Sequence, residues 1–332
     1  MERFGRHFLS FLLIGIACYM GLVFFAHGEK FWSAISQFPL SYIPFLLALA
    51  SINFLLRYFR WQIYLKTLGI HLPPWRSFLI FMAGLTMTIT PGKAGETLKA
   101  HLLKIEGDNP WSIGLPVVFA ERLTDLMGVV ILAALGLRIL PGGKEALFLG
   151  ICVCLLLLLI FTQPTLFNAM VRFLGKLPGM PDRSEWLLEM HGNAKRLLAP
   201  RTILAGVLIS SIAWFAECMV LYFTLVACQS GASYLNATFI YALSTLAGAL
   251  SILPGGLVAT EGSMTGLLLL FGLERNKSVL VTFIVRLCTL WFAIFVGMIF
   301  LFFLRRRTRL KEQPCWERKY CRSVCSRSLQ KQ

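Results

Sequence analysis

Ionisable side chains recur inside apolar stretches of this 332-residue sequence. Asn53, Arg57, Arg60 and Tyr64 fall at i, i+4, i+7 and i+11, which is one stripe of one helix. Glu121 and Asp125 share a helical face, and Arg122 reaches Asp125 at i+3. Glu217 stands midway between Ser210 and Thr224 at seven-residue spacing, and Thr282, Arg286 and Thr289 line another apolar run. Two more carboxylates follow Pro-Gly turns: Glu96 after Pro91-Gly92-Lys93, and Glu261 after Pro254-Gly255-Gly256. The chemistry open to this set is anion capture. A guanidinium fork suits phosphate oxygens, which makes Arg57 and Arg60 the expected ligand-facing groups. Proline stops a helix and glycine tolerates a sharp turn. The half-helix that restarts after each turn aims its amide N–H groups back toward the break, where they carry roughly half a positive charge. Lys93 adds to that charge. Glu96, Glu217 and Glu261 have the chemistry to bind an amine or carry a proton. The competing role is mutual pairing, since intramembrane ions are usually paired even where they are functional. Arg57, Arg60, Lys93, Arg122 and Arg286 nearly balance Glu96, Glu121, Asp125, Glu217 and Glu261, and Arg122–Asp125 is the expected structural pair.

These residues need a bilayer around them. The chain is 57% hydrophobic and 14% charged, too apolar for one soluble core. Apolar spans are expected at about 8–25, 41–65, 115–137, 146–161, 203–227 and 279–304. The two Pro-Gly segments interrupt further apolar stretches at 78–104 and 239–271. Exposed backbone at membrane depth survives only when buried in protein or lining a wet cavity. The reading is therefore an all-α polytopic membrane bundle: about six full spans plus two re-entrant helical hairpins. Between 163 and 201 runs the longest connection, in which Trp186, Leu187, Met190, Ala194, Leu197 and Leu198 recur at helical spacing and predict an amphipathic surface helix.

The net charge of +16 raises nucleic-acid binding, but much of the excess lies in the tail. Residues 305–332 carry 10 Lys/Arg against 2 Asp/Glu, which fits a juxtamembrane basic segment facing anionic lipid. No recognition-helix or RNA-binding motif accompanies it, so no nucleic-acid partner is expected. The positive-inside rule places both termini in the cytoplasm, the first hairpin inserting from that side and the second from outside. Cys315, Cys321 and Cys325 of the tail have no histidine nearby and match no zinc spacing. No metal or other cofactor is expected, and Gly92-Lys93 lacks the remaining residues of a phosphate-binding P-loop.

The halves repeat. Thr86-Met-Thr-Ile-Thr-Pro-Gly and Ala249-Leu-Ser-Ile-Leu-Pro-Gly place their prolines 163 residues apart. A glutamate follows each, and Arg122 and Arg286 stand 164 apart, each before a leucine. Each half has an odd number of spans, so the second is inverted relative to the first, the pattern of many secondary transporters. The halves divide at 1–140 and 141–304, and a basic tail expected to be disordered follows at 305–332.

Ala120-Glu-Arg-Leu-Thr-Asp125, with Pro91-Gly-Lys-Ala-Gly-Glu96 before it and Leu253-Pro-Gly-Gly-Leu-Val-Ala-Thr-Glu261 after, resembles the lysylphosphatidylglycerol synthase transmembrane-region family of flippase-like membrane proteins. The likeness covers roughly residues 8–304. It implies a cytoplasmic-membrane protein that moves a lipid between leaflets or assists a lipid-modifying pathway. The family's motif residues map onto Pro91, Gly92, Gly95, Glu96, Glu121, Arg122, Asp125, Pro254, Gly255, Gly256 and Glu261. Bifunctional members carry a soluble aminoacyl-transferase domain after the membrane part. Here a short basic tail follows instead, and lipid aminoacylation is not expected. The expected function is a flippase for a phospholipid or polyprenyl-type lipid. The alternatives are a glycosyl- or acyl-transferring enzyme or accessory subunit, and a small-solute channel. The expected partner is a lipid with an anionic or phosphate-bearing headgroup. A second copy of the chain and a lipid-pathway enzyme are further candidates.

Overall fold

The computed structural model describes residues 35–90, 94–107, 110–136, 143–175, 184–251 and 253–312, together with Gly21. The expected first span (8–25), the Pro91-Gly92-Lys93 turn and the tail from 313, with Cys315, Cys321 and Cys325, lie outside the described residues. Regular structure among the described residues is helical.

The first half runs α1 (Tyr42–Thr67), α2 (Pro74–Gly84) tightening into a 3-10 turn (Leu85–Ile89), a second 3-10 turn (Ala94–Thr97), α3 (Leu98–Gly107) and α4 (Trp111–Leu135). Next come α5 (Gly143–Thr162), α6 (Pro164–Gly175) and α7 (Ser184–Leu197). The second half runs α8 (Pro200–Ala227), α9 (Tyr234–Leu250), α10 (Ala259–Leu270) and α11 (Arg275–Arg286). A π turn (Leu287–Trp291) then leads into α12 (Phe292–Glu312). The segments Tyr42–Thr67, Pro200–Ala227 and Arg275–Leu304 are each long and apolar enough to cross a membrane. α4 has the length as well, about 37 Å at 1.5 Å per residue, but carries Glu121, Arg122 and Asp125. The connection at 163–201, where one amphipathic helix is expected, holds two, α6 and α7.

Both interrupted segments fold back on themselves. α2 packs on α3, and α9 packs on α10. A Cβ on Gly256 would sit 3.2 Å from the Gly248 Cα, so the descending and returning arms of the second hairpin nearly touch. The two tips also meet. Ile89 of the first hairpin clusters with Leu257 of the second, beside Leu290 and Ile294. Gly255 is required at that contact. Its φ is +61°, and a Cβ there would lie 3.4 Å from the Ile89 Cα.

The internal repeat is visible in the backbone. The Ile70 N–H donates to the Leu65 carbonyl at 2.9 Å, and the Ser230 N–H donates to Leu225 at 3.1 Å. Gly69 and Gln229 hold positive φ at the same place in the two turns. α2 then opens with Ser77 N–H to Pro73, and α9 opens with Ala237 N–H to Ser233. The offset is 160 throughout, the same that separates Asn53 from Ala213. Asn53 donates to the Ala213 carbonyl at 2.9 Å, so the equivalent helices α1 and α8 cross at equivalent positions. Packing is reciprocal: α4 of the first half lies on α9 of the second, and its counterpart α12 lies on α2.

Lipid gives helices no hydrophobic reason to associate, so close packing and polar contacts must hold the bundle. The outward face of α5 shows what remains for lipid: Phe148, Leu149, Leu155 and Leu156 are all exposed.

Candidate functional site

A cavity of about 340 Å³ opens where the two hairpin tips meet α1, α4, α8 and the π turn. Each half contributes to its wall: Arg57 from α1, Arg122 and Asp125 from α4, Glu217 from α8, Tyr241 from α9 and Arg286 from α11. Thr88 and Thr90 come from the first hairpin, and Gly255, Gly256 and Thr260 from the second. The π turn admits one extra residue per turn, and such bulges recur at functional sites. Here it lies between Arg286 and Ala293, and Arg286, Thr289, Leu290 and Ala293 all reach the cavity.

The charged residues form a continuous buried lattice on the first-half side. Asp125 is its hub. Its Oδ1 accepts from Arg60 Nη1 at 2.5 Å, and its Oδ2 lies 3.0 Å from Arg122 and 3.4 Å from Arg57. Arg60 also donates to the hydroxyls of Thr124 and Ser210, tying α1 to α4 and α8. Arg122 reaches on to Glu96 at 2.9 Å. The lattice closes through Lys99, which bonds Glu121 at 3.0 Å, approaches Glu96 at 3.4 Å, and sits over the Phe81 ring at 4.5 Å. Lys99 is fully buried, as are Arg60 and Glu121.

The second half repeats the key tie. Arg286 Nε bonds Glu261 at 2.6 Å, as Arg122 bonds Glu96. In both halves the span after the hairpin clamps the hairpin's glutamate. Arg286 also donates to the Gly255 carbonyl at 2.9 Å, holding the tip of its own hairpin. Arg57 and Glu217 occupy equivalent positions of α1 and α8, yet one is a base and the other an acid. The symmetry of the scaffold is broken where the cavity is. Glu217 Oε2 accepts the Tyr241 hydroxyl at 2.5 Å, and the Arg57 guanidinium lies 6.0 Å from the Trp214 ring.

Of the candidates read from sequence, Arg57, Arg122, Asp125, Glu217, Gly255, Gly256 and Arg286 line the cavity. Arg60, Glu96, Glu121 and Glu261 stand behind that wall and hold the residues that form it. Arg60 therefore differs from its expected ligand-facing role, because its stripe neighbour Arg57 takes the cavity side. Gly92 and Lys93 fall outside the described residues. The expected Arg122–Asp125 pair forms. Sequence reasoning missed Lys99, although Glu96-x-x-Lys99 has ion-pair spacing on a helix. It also missed Tyr241, and Trp214, although Trp214 stands at i+4 from Ser210 and i−3 from Glu217 on the same face of α8.

What this arrangement can do chemically is hold a small headgroup. Three guanidinium groups are donors for phosphate oxygens, while the pinning acids keep the arginines in place. The rest of the wall, with Leu126, Val129, Leu157, Leu246 and Ala249, is apolar.

Comparison with known proteins agrees with this architecture. The family described as lysylphosphatidylglycerol synthase TM region matches residues 12–297. A UPF0104 membrane protein of Pyrococcus horikoshii is 23% identical over 319 residues, covering 86% of this chain and 94% of its own. One from Methanocaldococcus jannaschii is 23% identical, covering 68% and 96%. Another from Methanothermobacter thermautotrophicus is 27% identical, covering 68% and 74%.

Proposed function

We propose that this chain, which belongs to the lysylphosphatidylglycerol synthase transmembrane-region family, carries a phosphate-bearing lipid between the leaflets of the cytoplasmic membrane. The observation that supports the reading is the cavity between the two hairpins, one from each half, with Arg57, Arg122 and Arg286 on its polar wall. Discontinuous helices meeting at a shared site, contributed by two repeats, are how secondary transporters alternate access. A cavity of 340 Å³ lies at the small end for ligand sites, the size of a headgroup and not of a whole lipid. In this reading both termini are cytoplasmic, the phosphate rests on the arginines, and one repeat rocks against the other.

Reconstitution tests it. Proteoliposomes holding labelled phospholipids of several headgroups should expose inner-leaflet lipid only when the protein is present. Vesicles that never do so, whatever the headgroup, would sink the carrier reading. The Tyr241–Glu217 hydrogen bond keeps an enzyme reading in view, because a phenol on a carboxylate is an acid–base pair at the cavity wall. Covalently altered lipid recovered from the same vesicles would favour that reading.

A further inference from the structure

The two halves share the arginine clamp but not the lattice behind it, and the difference falls on the hairpins. Glu96 and Glu261 stand 165 residues apart, so the counterpart of Lys99 is Met264. Arg122 and Arg286 stand 164 apart, so the counterpart of Glu121 is Val285 and that of Asp125 is Thr289. By the offset of 160 between α1 and α8, the counterpart of Arg60 is Val220. Val220, Met264 and Val285 are buried in one hydrophobic cluster. The Thr289 hydroxyl donates to the Val285 carbonyl one turn back, at 2.8 Å. The returning arm of the first hairpin is tied to α4 by two ion pairs, Glu96–Arg122 and Lys99–Glu121. The returning arm of the second, α10, lies on α11 through the Glu261–Arg286 pair and an apolar seat.

A phosphate in the cavity meets these two seats differently, although Arg122 and Arg286 both line the wall. When it draws Arg122 away from Glu96, Lys99 still bonds Glu121 and approaches Glu96, so the first hairpin stays on α4. Arg286 instead gives its Nη2 to the carbonyl of Gly255, which lines the same cavity. A phosphate offers the guanidinium fork two charged oxygens where that carbonyl offers one neutral oxygen. The exchange removes the bond at the hairpin tip, and at the counterparts of Lys99 and Glu121 the seat beneath has no charge to orphan when it slides. We propose that the second hairpin is the moving arm of this carrier and the first its fixed arm, with Arg286 as the latch that a bound phosphate releases. The ligand then interacts differently with the held and released hairpin, which any ligand-driven movement requires. Sliding of packed helices is one of the common modes of such movement. The proposal rests on the carrier reading and adds which arm moves and what frees it.

Amide hydrogen exchange of the full chain in nanodiscs tests this, with dioctanoyl phosphatidic acid as the probe. Exchange reads the local opening of each arm, over 98–107 for the first hairpin and 259–270 for the second. The expected result is that the probe quickens 259–270 at least about fivefold and leaves 98–107 within about twofold. Arg286→Gln should quicken 259–270 without the probe, and the probe should then add less than about twofold. Arg122→Gln should leave 98–107 near its wild-type rate, because Lys99 still holds that arm to Glu121. The wild-type comparison needs no variant, so it decides the matter even where a substitution unfolds the bundle. Equal quickening of both arms would overturn the latch and leave the carrier reading standing. So would unchanged or slower exchange of 259–270 in protein that still moves labelled phospholipid in proteoliposomes. Wild-type protein that moves no phospholipid would overturn the carrier reading, and the latch with it.

Discussion

Lys99 is the residue whose removal has the most calculable consequence. It is a fully buried ammonium between Glu121 at 3.0 Å and Glu96 at 3.4 Å, under the Phe81 ring. Lys99→Met keeps the length of the side chain and deletes the charge. Removing one partner of a buried ion pair costs about 3–5 kcal/mol, because the remaining charge is left in a poor solvent. Two cations stay near: Arg122 at 2.9 Å from Glu96 and Arg60 at 3.8 Å from Glu121. The loss should therefore fall near the low end, about 3 kcal/mol. For a chain of 332 residues that is a drop of roughly 4–5 °C in Tm. A thiol-reactive dye on heating in detergent reads it, since Cys154, Cys218 and Cys288 are buried until the bundle opens. Lys99→Met combined with Glu121→Gln should recover most of the loss, because a neutral pair leaves no orphan charge. A single variant within 2 °C of wild type would refute the reasoning. So would a double variant that falls by the sum of the two single effects.

Two other outcomes follow from local features outside the charge lattice. His191 on α7 stacks on Phe167, and burial, with Lys195 nearby, pushes its pKa below the usual histidine value. The folded state thus favours neutral imidazole. The stability it gives α7 is fully present above pH about 6.5 and is lost as the pH falls through the lowered value. Amide exchange over 184–197, corrected for intrinsic rate, should quicken between pH 7.5 and 5, and His191→Phe should flatten that dependence. Val258 holds φ +69° and ψ −52° just before α10, a conformation costly for a β-branched side chain. Val258→Gly should raise Tm by about 1–2 °C, the equivalent of about 1 kcal/mol of relieved strain. A lower Tm would show that the side chain matters more than the dihedral.

The hairpins and the repeat were legible because they depend on residues with few substitutes. Proline and glycine mark the breaks, and glutamate and arginine mark the clamp that recurs as Arg122–Glu96 and Arg286–Glu261. The assignment of Arg57 and Arg60 was not legible. Both lie on one stripe of α1, and a rotation of well under a turn decides which meets Asp125, Thr124 and Ser210 and which faces the cavity. Lys99 was hidden in a short amphipathic piece, where a lysine ordinarily reads as a solvated face. It is buried only because α2 folds back over it, a tertiary fact. α6 was likewise missed, its apolar face being hard to distinguish from the end of the preceding span.

Arg57 offers the most direct test of the carrier itself. It lines the cavity, yet Asp125 keeps Arg60 at 2.5 Å and Arg122 at 3.0 Å without it, so Arg57→Ala should leave the bundle folded. A charged hydrogen bond to a phosphate is worth about 1.5–3 kcal/mol, or roughly 10–150-fold. The measurement is the rate at which labelled phospholipid crosses proteoliposome membranes, wild type against Arg57→Ala at matched protein content. The account predicts a fall of at least tenfold, with Tm nearly unchanged. Equal rates for the two proteins would contradict it.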